Sequence, residues 1–430
     1  MKNLLLYFLF GATICDAQSS ISLKESINIA LQRNLDIQIS RNNLEANSIN
    51  NHIGVAGGLP NVTGNAAVTE QRSSITQERA SGEKTEIDWA KGNNVNASIT
   101  ATQLLFNGFR VHATKQRLEE LQQLSEKQLN SLIQNTIANV TVQYYDIVRQ
   151  QSYTKTINIS QEAAQKRLEI IKARQSVGLA NNVDLYQTEI DVNNFSQQLR
   201  QQQLQEQQAK ADFLLLLNLP FDTTIAIADT IIVDGKIELK EIIQSGESNL
   251  DLAAAKHQVK ILEWIEKETA AQRYPALTLN GGYNYSRTQT PAGFATMNQS
   301  YGPQIGVGLT MPFYSGGALK KQQRVASIET KNAKLEKENL EQIVRTEITK
   351  SFLAYKNNLN QLITEQTNYE LAYKLLDLIT RRFELGHATI IEVKDAQSSF
   401  VNTGFRVVNL SYAAKVAEVE LKRIANKLNF

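Results

Sequence analysis

The chain has 430 residues with 45 Lys and Arg against 43 Asp and Glu, a net charge of +2, which excludes a global field that would draw nucleic acid or another polyanion. Four His and one Cys, with no His-Glu-x-x-His or Cys-x-x-Cys spacing, argue against a zinc site or a Cys/His nucleophile, so neither a cofactor nor enzymatic chemistry is expected. Only 6 Pro and 21 Gly leave room for long unbroken elements, helices by default.

Lys2 precedes an apolar run from Leu4 to Ile14, and Ala17 offers a small residue for cleavage before Gln18. Residues 1–17 read as a secretory signal. Cleavage there removes the only cysteine, so disulfides have no part in the mature chain. Lipidation of Cys15 is the alternative, disfavoured by the β-branched Ile14 just before it. Beyond this segment the longest apolar run is Phe213 to Leu217, far below the roughly 20 residues of a spanning helix. A membrane-embedded form must therefore be a β-barrel.

Aligned with itself, the chain reads as two copies of one unit, residues 18–220 and 243–430, joined by a lateral segment at 221–242. Asn34-Leu35-Asp36 recurs as Asn249-Leu250-Asp251 at an offset of 215. Phe106-Asn107-Gly108 recurs as Tyr314-Ser315-Gly316, Gly178 as Gly386 and Asp184 as Glu392 at an offset of 208. The seven residues are lost between Pro60 and Phe106, where a surface loop is expected.

Each unit reads helix, strand pair, very long helix, glycine turn, helix. The strand pairs, about 60–106 and 275–314, alternate with period two, in strands of about 10 residues. Leu277, Leu279, Gly281, Tyr283 and Tyr285 face one way and Thr278, Asn280, Gly282, Asn284 and Ser286 the other; Val95, Ala97, Ile99 and Ala101 oppose Asn94, Asn96, Ser98 and Thr100. From Gly108 to Gly178 and from Gly316 to Gly386 no Pro interrupts an apolar stripe that includes Ile137, Val140, Tyr144, Val344, Ile348 and Tyr355. Such helices run roughly 100 Å at 1.5 Å per residue. The Gln-rich stretch Gln197–Gln208 reads as a hydrated helix face, and Ile225 to Val233 as a short strand.

Four strands with an apolar face cannot close a barrel alone, because open edges in hydrocarbon leave backbone groups unsatisfied. Known spanning barrels start at about 8 strands, so two or three copies are needed. Tyr283, Tyr285, Tyr301, Phe313 and Tyr314 suit interfacial aromatic girdles.

The duplicated helix–hairpin–helix plan resembles the TolC-like outer-membrane efflux channel family over nearly the whole mature chain. Phe106-Asn107-Gly108 and Pro312-Phe313-Tyr314-Ser315-Gly316-Gly317 resemble its strand-to-helix elbow, so Phe106, Gly108, Pro312, Phe313 and Gly316 are expected there. Gly386 to Gln397 and Val177 to Leu185 resemble its helix-tip signature. The resemblance implies an α+β membrane protein: a homotrimer with a 12-stranded outer-membrane β-barrel, four strands per chain, continuing into a periplasmic α-helical barrel. It further implies docking of a periplasmic adaptor (membrane fusion) protein at Val177, Gly178, Leu179, Leu385 and Gly386. An inner-membrane pump of the RND or ABC type, outer-membrane lipid around the barrel and no nucleic acid complete the implied partners. The implied activity is an efflux or secretion duct, as in multidrug efflux or type I secretion, opened at its tip. The rival reading is an exported coiled-coil structural or adaptor protein.

Asp184, Glu392 and Asp395 follow the glycine turns. Tripled by symmetry they would ring a narrow mouth with carboxylates and favour cations; the plainer alternative is acidic residues at helix starts. Where the family carries a Tyr and an Arg as a closing latch, this chain has Phe383 and Ala388, with Arg381 and Arg382 the nearest replacements.

Overall fold

The computed structural model describes residues 20–291 and 295–428; the expected signal segment and Cys15 lie outside the described residues. In chain order the elements are α1 (Leu23–Arg33), α2 (Leu35–Asn50), β1 (Asn61–Glu78), β2 (Lys84–Phe106), α3 (Arg110–Ser176), α4 (Asn182–Leu216), α5 (Leu239–Gly246), α6 (Leu250–Ala271), β3 (Ala276–Gln289), β4 (Met297–Thr310), α7 (Ala318–Glu384) and α8 (Ile390–Ile424). The long helices α3 and α7 each span 67 residues, and α4 and α8 each span 35. The described residues pack as two compact units: 20–39 with 130–250 and 342–428, and 40–129 with 251–341. Both long helices supply residues to each unit.

In the first unit, α1 starts on a capping box. The Ser22 hydroxyl accepts from Glu25 N at 3.2 Å and the Glu25 carboxylate accepts from Ser22 N at 2.9 Å, so two otherwise orphaned donors are satisfied reciprocally. Ile27 and Ala30 of α1 then pack with Ile137, Val140, Tyr144 and Ile147 of α3, Phe213 and Leu217 at the end of α4, and Val419 of α8. The stripe read from α3 is this core. Asn34 breaks the chain between α1 and α2: its backbone turns extended, and its Oδ1 accepts from Ile37 N at 3.0 Å. Its counterpart Asn249 is buried just before α6 and donates Nδ2 to Ile424 O at 3.1 Å. The recurring Asn-Leu-Asp is therefore a helix restart in both places.

The strand expected at Ile225 to Val233 does not form. Ala226 alone makes a bridge, to Ser20, and Ile21 N donates to Ala226 O at 2.9 Å. Ile225 and Ile227 are buried against the helical core, so their alternation reports burial. Helices present no free ladder for a strand to join. Farther on, Asp234 N donates to the Glu418 carboxylate at 2.9 Å and Tyr355 OH donates to Asp234 O.

The second unit holds one antiparallel sheet in the order β1-β2-β3-β4. The strands are longer than expected, at 18, 23, 14 and 14 residues. The extra residues of the first pair extend its ladder, from Gly92↔Gln71 out to Lys84↔Glu78, past the last β2–β3 partners Asn93↔Gln289. The length change is thus paired strand and not a free loop, because added residues that keep alternating can keep pairing. Register carries the two faces across all four strands. Val62, Ala101, Gly281 and Ile305 form one row; Gly64, Ile99, Tyr283 and Pro303 the next on that face; Ala66, Ala97, Tyr285 and Tyr301 the third. The intervening rows are Thr63, Thr100, Gly282 and Gln304, then Asn65, Ser98, Asn284 and Gly302, then Ala67, Asn96, Ser286 and Ser300. On this second face Ser286 donates to Asn96 Oδ1 at 2.8 Å and Thr102 to Asn280 Oδ1 at 2.9 Å. Across these rows one face is apolar and the other is a polar ladder.

Candidate functional site

Two helix turns make the candidate site. At the first, Leu179 N donates to Arg174 O at 2.8 Å and Gly178 N to Gln175 O at 2.9 Å, with Gly178 at φ 77. At the second, His387 N donates to Arg382 O at 2.8 Å and Gly386 N to Phe383 O at 3.1 Å, with Gly386 at φ 81. Both are Schellman endings, in which a left-handed residue lets the chain fold back onto the last carbonyls; glycine takes that conformation without a Cβ penalty. The turn residues Val177, Leu179 and Leu385 are strongly exposed.

Each following helix is capped. Asn181 Oδ1 accepts from Asp184 N at 2.8 Å before α4. Before α8, the Thr389 hydroxyl accepts from Glu392 N at 3.3 Å while the Glu392 carboxylate accepts from Thr389 N at 2.6 Å. Donation to that carboxylate, first from the Thr389 backbone N–H and then from the Thr389 hydroxyl at 2.9 Å, holds the Glu392 carboxyl below its ordinary value. Glu392 is therefore part of a capping box, whereas Asp395, one turn on, is exposed. Asp184, Leu179, Arg174, Phe383 and Ala388 line one cavity of about 300 Å³, so the two tips meet and bring Asp184 beside the second turn.

Sequence reasoning missed what joins them. Arg174 of α3 reaches α7: its guanidinium lies 4.7 Å from the centre of the Phe383 ring and donates to Phe383 O. Arg381 pairs with Asp377 at 3.1 Å and Arg382 donates to His387 O at 2.9 Å, so both remain within their own hairpin. Phe383 is buried with Ile171, Leu376, Val393 and Phe400.

A buried ionic cluster lies farther from the turns. Arg167 of α3, 1% exposed, donates to Asp191 of α4 at 2.8 Å and to Gln397 Oε1 of α8 at 3.1 Å. Lys394 of α8 reaches the other Asp191 oxygen at 3.2 Å, and Gln397 donates to Ser160 O. Burial pushes the Arg167 guanidinium down from its ordinary value, opposed by the Asp191 charge. Lys394 and Gln397 fall within the tip signature, but the spacing of one helix cannot reveal partners on two others.

The strand-to-helix elbows sit in the second unit. Phe106 ends β2 and Gly108 turns at φ 68 so close to α6 that a Cβ would meet Tyr274 Cβ at 2.7 Å and Ala271 O at 2.9 Å. After β4 come Pro312 and Phe313, the latter largely exposed, and then Gly316 at φ 64. No helix among the described residues is long and apolar enough to cross a membrane, and no group of His, Cys, Asp or Glu among them could hold a metal ion.

Residues 26–219 and 242–427 match the sequence profile described as outer membrane efflux protein. The chain belongs to the outer membrane efflux protein family. It is 24% identical over 389 residues to the outer membrane protein TolC of Vibrio cholerae, covering 84% of this chain and 85% of that one. It is 21% identical to the outer membrane efflux protein BepC of Brucella suis, covering 98% and 89%. Among solved structures, the VceC outer membrane protein of Vibrio cholerae superposes with a TM-score of 0.77 at 18% identity, covering 94% and 95%, and the Campylobacter jejuni CmeC channel with 0.79 at 15%, covering 96% and 90%. This efflux-family chain is a TolC-like protein of the outer membrane with a large periplasmic helical portion.

Proposed function

We propose that this efflux-family protein is the outer-membrane duct of an export system, a homotrimer that closes 12 strands into one barrel and continues as a periplasmic helical barrel narrowing at the two tips. The observation that carries the reading is the four-stranded sheet itself. One face is apolar across the three rows from Val62–Ile305 to Ala66–Tyr301, the other is a polar ladder, and β1 and β4 are open edges. An apolar face fits lipid and a polar one fits water, but unpaired edges are untenable in hydrocarbon, so neighbouring chains must supply the missing ladders. The matched lengths of α3 with α7 and α4 with α8 support the reading of two repeats, 18–220 and 243–430, around the 221–242 connection.

On this reading a periplasmic adaptor meets the exposed turn residues Val177, Gly178, Leu179, Leu385 and Gly386, and an inner-membrane pump of the RND or ABC type supplies the cargo. Asp184, Glu392 and Asp395 ring the entrance, and the tip opens for passage. The test is the mass of the protein extracted from outer membranes, by light scattering corrected for bound detergent. Three times the processed chain supports the duct. A detergent-free soluble monomer or dimer would reject the barrel in favour of the exported coiled-coil reading.

A further inference from the structure

The first elbow contains a cavity of about 370 Å³ that the export reading leaves unused. Its wall is divided chemically: Leu105, Phe106 and Phe109 line it together with Asn107, His112 and Lys115, and no acidic residue contributes.

The apolar part continues the lipid-type face of the sheet. A register shift between Leu104 and Phe106 sets Phe106 opposite Leu277, which belongs to that face, and the Phe109 ring stands edge-on to Phe106 at 5.5 Å. Phe109 is also held at φ 64 and is 74% exposed. The matching place after Tyr314-Ser315-Gly316 is taken by Gly317 at φ 75, the residue type for which that backbone is unstrained. A bulky aromatic kept in a strained conformation and left largely uncovered points to a role outside the packing of its own chain.

The polar part asks for an acceptor. Asn107 is only 9% exposed and its Oδ1 accepts from Val111 N at 3.3 Å, yet its Nδ2 has no hydrogen-bond partner. A buried amide donor without a partner is uncommon enough to need an explanation. Lys115 donates to the neutral Asn51 Oδ1 at 2.6 Å and lies 3.9 Å from Glu119. The first turn of α3 contains no acidic residue and begins with Arg110, although the helix dipole disfavours cations there. A bound anion would relieve that arrangement.

We infer that this cavity holds one anionic phospholipid of the periplasmic leaflet, with an acyl chain against Leu105, Phe106 and Phe109 and the phosphate on Asn107 Nδ2, His112 and Lys115. The outer-membrane placement of the family and the continuity of the cavity with the apolar sheet face select a lipid over a soluble anion. The lining, basic and free of carboxylates, selects an anionic headgroup over a zwitterionic one.

The test is native mass spectrometry of the protein extracted in mild detergent and offered phosphatidylglycerol or phosphatidylcholine with identical acyl chains. Wild type should retain phosphatidylglycerol preferentially. Lys115→Gln should weaken that retention about tenfold, the loss expected of one charge-assisted hydrogen bond. Phe109→Gly relieves the backbone, so it should withstand heat at least as well as wild type while losing the lipid. Equal retention of both lipids by wild type, displacement of phosphatidylglycerol by inorganic phosphate, or wild-type retention by either variant overturns the site. Neither variant touches the helix tips, so failure here leaves the export reading standing, and failure of export in a protein that still retains the lipid would leave this site standing.

Discussion

Replacing Asp191 by Asn isolates the buried cluster that ties α8 to the α3–α4 hairpin. In the native arrangement one carboxylate serves two cations, Arg167 at 2.8 Å and Lys394 at 3.2 Å. Arg167 is almost wholly buried and its Nε already lacks a partner. Without the carboxylate charge, its remaining side-chain partner is the neutral Gln397. Removing one member of a buried pair costs about 3 to 5 kcal/mol, because the other charge stays desolvated and uncompensated. Lys394→Gln should cost under about 1 kcal/mol, since that ammonium is half exposed and water replaces its partner. Asp191→Leu with Arg167→Met removes both charges and should recover most of the loss. Hydrogen exchange read by mass spectrometry on the detergent-solubilised protein measures local opening directly. At about 1.4 kcal/mol per tenfold, Asp191→Asn should speed exchange around residues 160–167 and 394–402 by a hundredfold or more, with the sheet unchanged. Exchange equal to wild type, or an equal effect of Lys394→Gln, would refute the assignment of the charge as the tie.

Other substitutions probe the tips and the elbow. Glu392→Asn with Asp395→Asn should lower cation selectivity in a planar bilayer, and an unchanged reversal potential under a salt gradient would remove the acidic-entrance reading. Gly386→Leu places a side chain at φ 81 in open space, where the nearest atom to an added Cβ is Arg174 Nη2 at 3.9 Å; the strain is about 1 to 2 kcal/mol, so the protein should assemble yet fail to export, and normal export would cancel the docking role. Gly108→Ala combines positive φ with contacts of 2.7 and 2.9 Å at Tyr274 and Ala271, so it should cost more than about 2 kcal/mol and deplete folded protein in the membrane, visible as lost heat resistance. The Glu392 cap is pH-dependent: its carboxyl is lowered from 4.5 by Thr389, so the contribution is complete above that value and lost as pH falls through the depressed one. Amide exchange in the first turn of α8 should rise in that acidic window, and Glu392→Gln, which leaves no carboxyl to titrate, should abolish the dependence.

Periodicity and punctuation were enough to read the helices, the two glycine turns and the two-faced strands, because each is a local rule written along the chain. A Schellman ending needs only a glycine after a helix, and alternation at period two appears whether or not the partner strand is known. Long-range contacts have no such signature. The hairpin ladders outgrew the expected strands because pairing depends on the register of a second strand, and the strand expected at Ile225 to Val233 was lost because no ladder stands beside it. Arg174 on Phe383, Asp191 between Arg167 and Lys394, and the unpartnered Asn107 amide join residues that are remote in sequence or differ only in surroundings. Sequence alone determined which faces are apolar and where the chain turns, since those follow from each residue's own chemistry. Tertiary structure decided which charges are buried together and which donors lack acceptors, since desolvation and hydrogen-bond geometry exist only once separate helices are packed side by side.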